Sequence, residues 1–468
     1  ALALASGDPA VVDAARAVKK EGDVDPWAAW MAGVALERVG AADARAYFEA
    51  ALAAEPKLMR AEIQLDRWLI LEGETKAADA RIAKLPEGDA SRSALEALSW
   101  ARARATGASA TPAPKLSITS ADLPKALHPV FVAATVMSLP QIFAGKTKKP
   151  TDASPEAQRA IDEADSPGLA VTFGYFALWR ADGALATGAM KRAATLAPSY
   201  APTVTLAGKA IVALGKLDVV DPVVASLPAD LVRPLVAAVA YERGNLDALT
   251  KLAATVPPGG DPAGAIATRI ARLRGTSPLS DGDLDKLIKA DALGDLCAVD
   301  AWLDAGALDR ASAVVASWPN ATENPLYAVR VARLRRYQGK LSEAANALDV
   351  APASPSVQVE RVLIELAADD PSPSVFSLID DRVGGSKAFL QAYAYARTKD
   401  GDKAQRILDA RSPPPFDAPL GERIVAALAY ASVKDETNGA PMARVLLEKF
   451  PKNPDVVRIG KAFRLESN

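Results

Sequence analysis

The stretch DPWAAWMAGVALERVGAADARAYFEAALAAEP, residues 25–56, decides how this chain is read. Trp27, Trp30, Gly33 and Leu36 recur at the spacing of one helix face, and Gly40 then breaks the pattern. Ala44, Phe48, Ala51 and Leu52 form a second apolar stripe, which Pro56 ends. The pattern predicts two short antiparallel helices joined by a tight turn. Small residues fall where the helices touch, and proline falls where the second helix must stop.

The pattern returns. Gly174, Leu178, Ala186, Met190, Ala193 and Pro198 lie at nearly the same offsets. A third copy carries Ala332, Tyr337, Gly339, Ala344 and Leu348, and a fourth carries Ala443, Leu447, Phe450 and Pro454. Weaker copies surround Gly244, Gly306 and Gly401, and Glu72-Gly73 and Gly215-Lys-Leu-Asp218 mark further turns. These hairpins resemble the tetratricopeptide repeat. FEAALAAEP at residues 48–56 is close to that family's second-helix ending, Gly33 and Ala44 match its small packing positions, and QGKLSEA at residues 338–344 matches its turn. The turn of the first copy is one residue shorter than the family's. The resemblance implies an all-α fold, a right-handed α-solenoid of roughly nine to twelve irregular, interrupted hairpins over about three quarters of the chain.

The interruptions divide it. Residues 106–123 are rich in Ala, Ser, Thr and Pro, and residues 145–152 hold Lys146, Lys148, Lys149 and Pro150. Between them lies an apolar stretch, residues 126–143. The expected organisation is an N-terminal array over 1–105, an irregular joint with a short helical stretch over 106–166, and a C-terminal array over 167–468. Two further Pro-rich breaks, at residues 256–262 and 411–419, fall inside the last of these.

Composition narrows the function classes. The 468 residues are 50% hydrophobic and 24% charged, which is enough apolar surface to exclude disorder over the bulk of the chain. Alanine supplies about a fifth of the residues, which favours closely packed helices. Lys and Arg total 55 against 57 Asp and Glu, a net charge of -2, which argues against a coat for nucleic acid. A single cysteine, Cys297, excludes an internal disulfide. With the single histidine, His128, it cannot make a Cys/His zinc site. No run of about 18 apolar residues is present, and Pro140 cuts the longest candidate, so no membrane span is expected. The opening Ala-Leu-Ala-Leu-Ala reads as the tail of a removed signal peptide, an anchor or a trimmed longer chain.

Motifs for chemistry are weak. Gly145-Lys146-Thr147 resembles the end of a phosphate loop, but Pro140 stands where the first glycine is needed, so it reads as a solvated basic loop. His128 has no nucleophile motif to serve, and Gly384-Gly-Ser-Lys387 reads as a turn. Cys297 reads as a buried structural thiol. Asp369-Asp370 and Asp380-Asp381 read as turn or cap residues, and Asp300, Asp304 and Asp309 as solvated helix faces. No catalytic residue, cofactor or metal is predicted.

Two clusters are candidates for binding a partner protein. Carry-over of the repeat pattern places Trp27, Trp30, Glu37 and Arg38 on a concave groove, where Trp and Arg are typical anchors. The alternative is that the tryptophans pack against a preceding helix that begins near Val11 to Val18. The same carry-over places Arg333, Arg336 and Tyr337 on the groove, beside Arg330 and Arg335. That cluster would grip an acidic peptide or a C-terminal carboxylate bidentately. Its alternative is a solvated face paired with Glu343, Glu360 and Glu365. The expected function is a non-catalytic protein–protein interaction scaffold. The Ala-rich composition, few cysteines and missing start suit a bacterial envelope or periplasmic protein, with the cytoplasm equally allowed; the resemblance implies assembly or motility scaffolding there, or activation of an envelope enzyme. The competing reading is a helical accessory region of an enzyme, for example a cell-wall lytic one, whose catalytic domain lies outside this chain.

Overall fold

A computed structural model describes residues 9–465 except 88, 106–154, 165, 180, 262–263, 276–277, 319–320, 322–323 and 352–353. The linker at 106–123, the apolar stretch at 126–143, His128 and Gly145-Lys146-Thr147 therefore lie outside the described residues. Among those described there are 26 α-helices and no strand, so the chain is all-α. No helix among them is long and apolar enough to cross a membrane.

Local chemistry explains where helices begin. Pro26, Pro325, Pro355 and Pro454 each open a helix, directly after Asp25, Asn324, Ser354 and Asn453. Each of these four side chains accepts from the first free backbone N–H groups; Asp25 Oδ1, for instance, takes Trp27 N at 2.9 Å. Proline at the first helical position has no N–H to leave unpaired, and its fixed φ suits the helix.

The turns inside the hairpins share one device. Two residues after the end of the first helix the backbone turns left-handed. Gly40, Gly244, Gly306 and Gly339 supply that conformation after Pro26–Arg38, Ala229–Glu242, Gly294–Asp304 and Pro325–Tyr337. Ala181 and Lys399 occupy the same place after Pro167–Trp179 and Lys387–Arg397, with φ of 56° and 69°. Close helix contact also needs a missing side chain. A Cβ on Gly33 would stand 2.6 Å from Phe48 Cε1, so this glycine lets the second helix of its hairpin approach.

The helices gather into two compact units that divide between Arg233 and Pro234. This differs from the expected array over 167–468, because residues 167–233 belong with the N-terminal helices. The reason lies in the helix Pro167–Trp179, where Leu169, Ala170, Val171, Phe173, Tyr175 and Phe176 are all buried. A helix apolar on every side must be covered on every side. Pro26–Arg38, Met59–Glu72 and Ala90–Ala105 cover it, along with its own hairpin partner Gly183–Leu196.

The second unit closes on itself. Arg423 Nη2 donates to the carbonyl of Gly275 at 3.1 Å, across 148 residues of sequence. Asn453 Nδ2 donates to the carbonyl of Asp304 at 3.1 Å, across 149. These bonds join helices far apart in sequence within the unit.

The shared turn position gives opposite predictions at two sites. Gly40 has φ 72°, and a Cβ there would lie 2.6 Å from that of Ala197. Gly40→Ala should therefore cost about 2 kcal/mol through strain and overpacking. Lys399 bears the left-handed penalty on an exposed site, so Lys399→Gly should gain about 0.5 kcal/mol. Urea unfolding with unchanged slope would check both.

Candidate functional site

The densest cluster of chemistry-bearing side chains lies inside the second unit. Asp300 and Asp304 stand one turn apart on Gly294–Asp304, and Arg330, Arg333 and Arg336 repeat every three residues on Pro325–Tyr337. Those spacings turn an acidic and a basic stripe toward each other. Arg330 bridges Glu242 at 2.8 Å and Asp300 at 2.7 Å. Arg333 lies among Glu360, Asp304 and Asp300 at 3.4, 3.8 and 3.9 Å. Arg336 holds Glu360 at 2.6 Å and Asp455 at 2.9 Å. Arg272 meets Asp304 at 2.9 Å, and the Tyr241 hydroxyl donates to Asp300 Oδ2 at 2.9 Å.

This corrects two expectations. Arg333, Arg336 and Tyr337 do not face an open groove. The Arg336 side chain is only 3% exposed, and its guanidinium lies 4.7 Å from the centre of the half-buried Tyr337 ring. Glu360, which the alternative reading offered as a partner, does hold both Arg333 and Arg336, but in the interior rather than on a solvated face. Glu343 pairs with Arg335 instead. Asp300 and Asp304 are likewise buried, not solvated. The network's carboxylates come from four other helices, and no helix of the cluster shows this burial by its own sequence.

The charges of the network are unequal: Arg272, Arg330, Arg333 and Arg336 face Glu242, Asp300, Asp304, Glu360 and Asp455. Burial pushes Glu242 and Asp304 above the ordinary carboxylate range despite their arginines. At Asp300 burial pushes up too, but the guanidiniums of Arg330, Arg272 and Arg333 outweigh it and hold the carboxyl at about 2. Asp455 is also held low: burial opposes, and Arg336 prevails. Cys297 lies beside this network, fully buried, and burial pushes its thiol up to about 11, so it is a poor nucleophile. Every carboxylate of the network is committed to a guanidinium, and the arrangement clamps helices together. Among the described residues no three His, Cys, Asp or Glu side chains gather into a metal-binding group.

The first unit carries the other predicted cluster. Glu37 is 3% exposed and pairs with Arg67 in the interior, so it too is removed from any groove. Arg38 is half-buried on the same helix. Trp30 packs partly buried with Val18, Val24 and Leu52 over Ala29, Ala51, Leu58 and Ala61. Trp27 remains 49% exposed, edge-on to Trp30 with ring centres 5.9 Å apart. The Arg60 guanidinium lies 5.8 Å from the Trp27 ring and 5.5 Å from that of Trp30. Alongside runs an open apolar groove of about 420 Å3 between Pro9–Arg16 and Pro26–Arg38, lined by Val11, Ala14, Val18, Met31 and Ala35. Met31, 43% exposed, and Arg60 were not singled out by sequence; Met31 lies one turn from Trp27, and Arg60 lies on Met59–Glu72, the second helix after it.

No protein-family model matches the chain, and no curated protein matches it in sequence.

Two substitutions test the interior network. Arg336→Glu would set a third carboxylate beside Glu360 and Asp455, and should cost more than about 3 kcal/mol, visible as lost helical circular dichroism at lower urea. Asp300→Asn tests the pH dependence. Its carboxyl is held at about 2 against an ordinary 3.8, so its contribution of about 2 kcal/mol is complete above pH 3.8. That contribution is lost as pH falls from 3.8 toward 2. The stability gap between Asp300→Asn and the parent should therefore be full at pH 7 and close at pH 2.

Proposed function

We propose that this chain is a non-catalytic scaffold of tetratricopeptide-like hairpins, a right-handed α-solenoid in type, which presents an apolar recognition surface to a partner protein in a bacterial envelope assembly. Trp27 is the observation that carries the reading. A half-exposed tryptophan, braced by a second ring and roofed by an arginine, beside an apolar groove, has the composition of an interface hot spot. The exposed Arg60 borders the tryptophan, so the fitting partner segment is apolar with an acidic flank. Helices already in place spare the entropy of ordering the surface on binding.

A photo-crosslinking residue at Met31, introduced in the source cells, tests this. One defined protein should crosslink there, and Trp27→Ala should lower the yield about tenfold or more with helicity unchanged. Absence of a crosslinked partner, or equal yield with Trp27→Ala, would overturn the reading. The compartment of the captured protein tests the envelope setting.

A further inference from the structure

The second unit has an open cleft of about 340 Å3 at some remove in sequence from both predicted clusters. Lys387–Arg397 contributes Tyr393 and Arg397, one turn apart on the same face. Leu420–Val433 contributes Leu428 and Ser432, and Pro454–Ala462 contributes Arg458 and Ile459. Asp369 stands at the rim, just past the end of Pro355–Ala367.

The two arginines differ from those of the interior. Arg269, Arg272, Arg330, Arg333 and Arg336 each hold a carboxylate. Arg397 is fixed by carbonyls instead: its Nε donates to Leu366 at 3.2 Å and its Nη2 to Ala368. Those bonds aim a rigid guanidinium without neutralising it. Arg458 is exposed; its Nη1 reaches the buried Tyr393 hydroxyl at 3.5 Å, and it acts on Asp455 only from a distance. Among the described residues neither guanidinium has a carboxylate within salt-bridge reach. Ser432 adds a hydroxyl, and the accessible apolar wall comes from Ala367 and Ala462, with Leu428, Ala431 and Ile459 buried behind them.

We propose that this cleft binds a small amphipathic carboxylate, its head between Arg397 and Arg458 and its short apolar body against Ala367 and Ala462. Charge selects the head group. Two guanidiniums against the single carboxylate of Asp369 leave one positive charge. A monoanion neutralises it, whereas a dianionic phosphate brings a second negative charge toward Asp369. A planar carboxylate also matches the fork of a fixed guanidinium. The site lies wholly in the second unit and does not depend on the scaffold reading.

The test titrates the full chain at pH 7 with hexanoate, hexanol and hexyl phosphate, read by calorimetry. Hexanoate should bind with Kd of about 1 mM or tighter, and hexanol at least about tenfold more weakly. Arg458→Gln, a surface change, should weaken hexanoate about tenfold. Ala462→Trp, which fills the mouth from an exposed position, should abolish binding while leaving helicity intact. Equal binding of hexanol, tighter binding of hexyl phosphate, indifference to both substitutions, or no heat up to 10 times that concentration would each overturn the proposal.

Discussion

A guanidinium taken out of water must be met by carboxylates or carbonyls, and in the C-terminal unit that requirement ties distant helices together. Leaving one buried ion unpaired costs several kcal/mol, a large fraction of what a domain has in total. Arg330 reaches Glu242, 88 residues back, and Arg336 reaches Asp455, 119 residues on. Each bond can form only when the helices between them are in place. The backbone contacts of Arg423 with Gly275 and of Asn453 with Asp304 join further helices distant in sequence. The first unit relies less on charge. Close helix contacts there rest on absent side chains, as where Phe48 lies over Gly33, and its buried charges include Glu37 with Arg67 and Asp66 with the half-buried Arg81.

This division explains what the sequence showed and what it hid. Helix starts and turns were legible because their causes are local. Asn324-Pro325 caps and opens a helix whatever lies elsewhere, and Gly339 permits its turn by itself. The hairpin around Lys399 reads less plainly, because lysine supplies a conformation that usually announces itself as glycine. The fate of charged faces was not legible. Arg335 and Arg336 are neighbours in sequence, yet one lies near the surface with Glu343 and the other is sealed inside with Glu360 and Asp455. What separates them is a helix more than 100 residues away. The same holds for Asp300 and Asp304, whose spacing alone suits a solvated face as well as a buried one. In the first unit the reading divided between two residues three apart: Trp30 turns toward Val18 and Leu52, while Trp27 stays half in water.

The filled interior also bears on where this molecule can be recognised. The arginines that looked most suited to gripping an acidic partner are already gripping acids of the same chain. Replacing one of them would change folding before it changed any binding. The side chains that the closure does not consume include Trp27 and Met31 on one unit, and Arg458 and the fixed guanidinium of Arg397 on the other.

Charge rather than apolar bulk suits this closure for a reason that follows from composition. About a fifth of the chain is alanine, and many helix faces present the same small side chains. Such faces pack closely but discriminate poorly, since one alanine stripe fits another in more than one register. A buried ion pair adds little net stability over a well-packed apolar pair, yet a wrong pairing leaves a charge uncompensated. Sliding Pro325–Tyr337 by one turn would carry Arg336 away from Asp455 and bring Arg333 toward its place, so that Glu242 would lose Arg330. The alanine contacts would barely register the slip. The carboxylates would, and the cost of leaving one of them bare exceeds anything the small side chains could return.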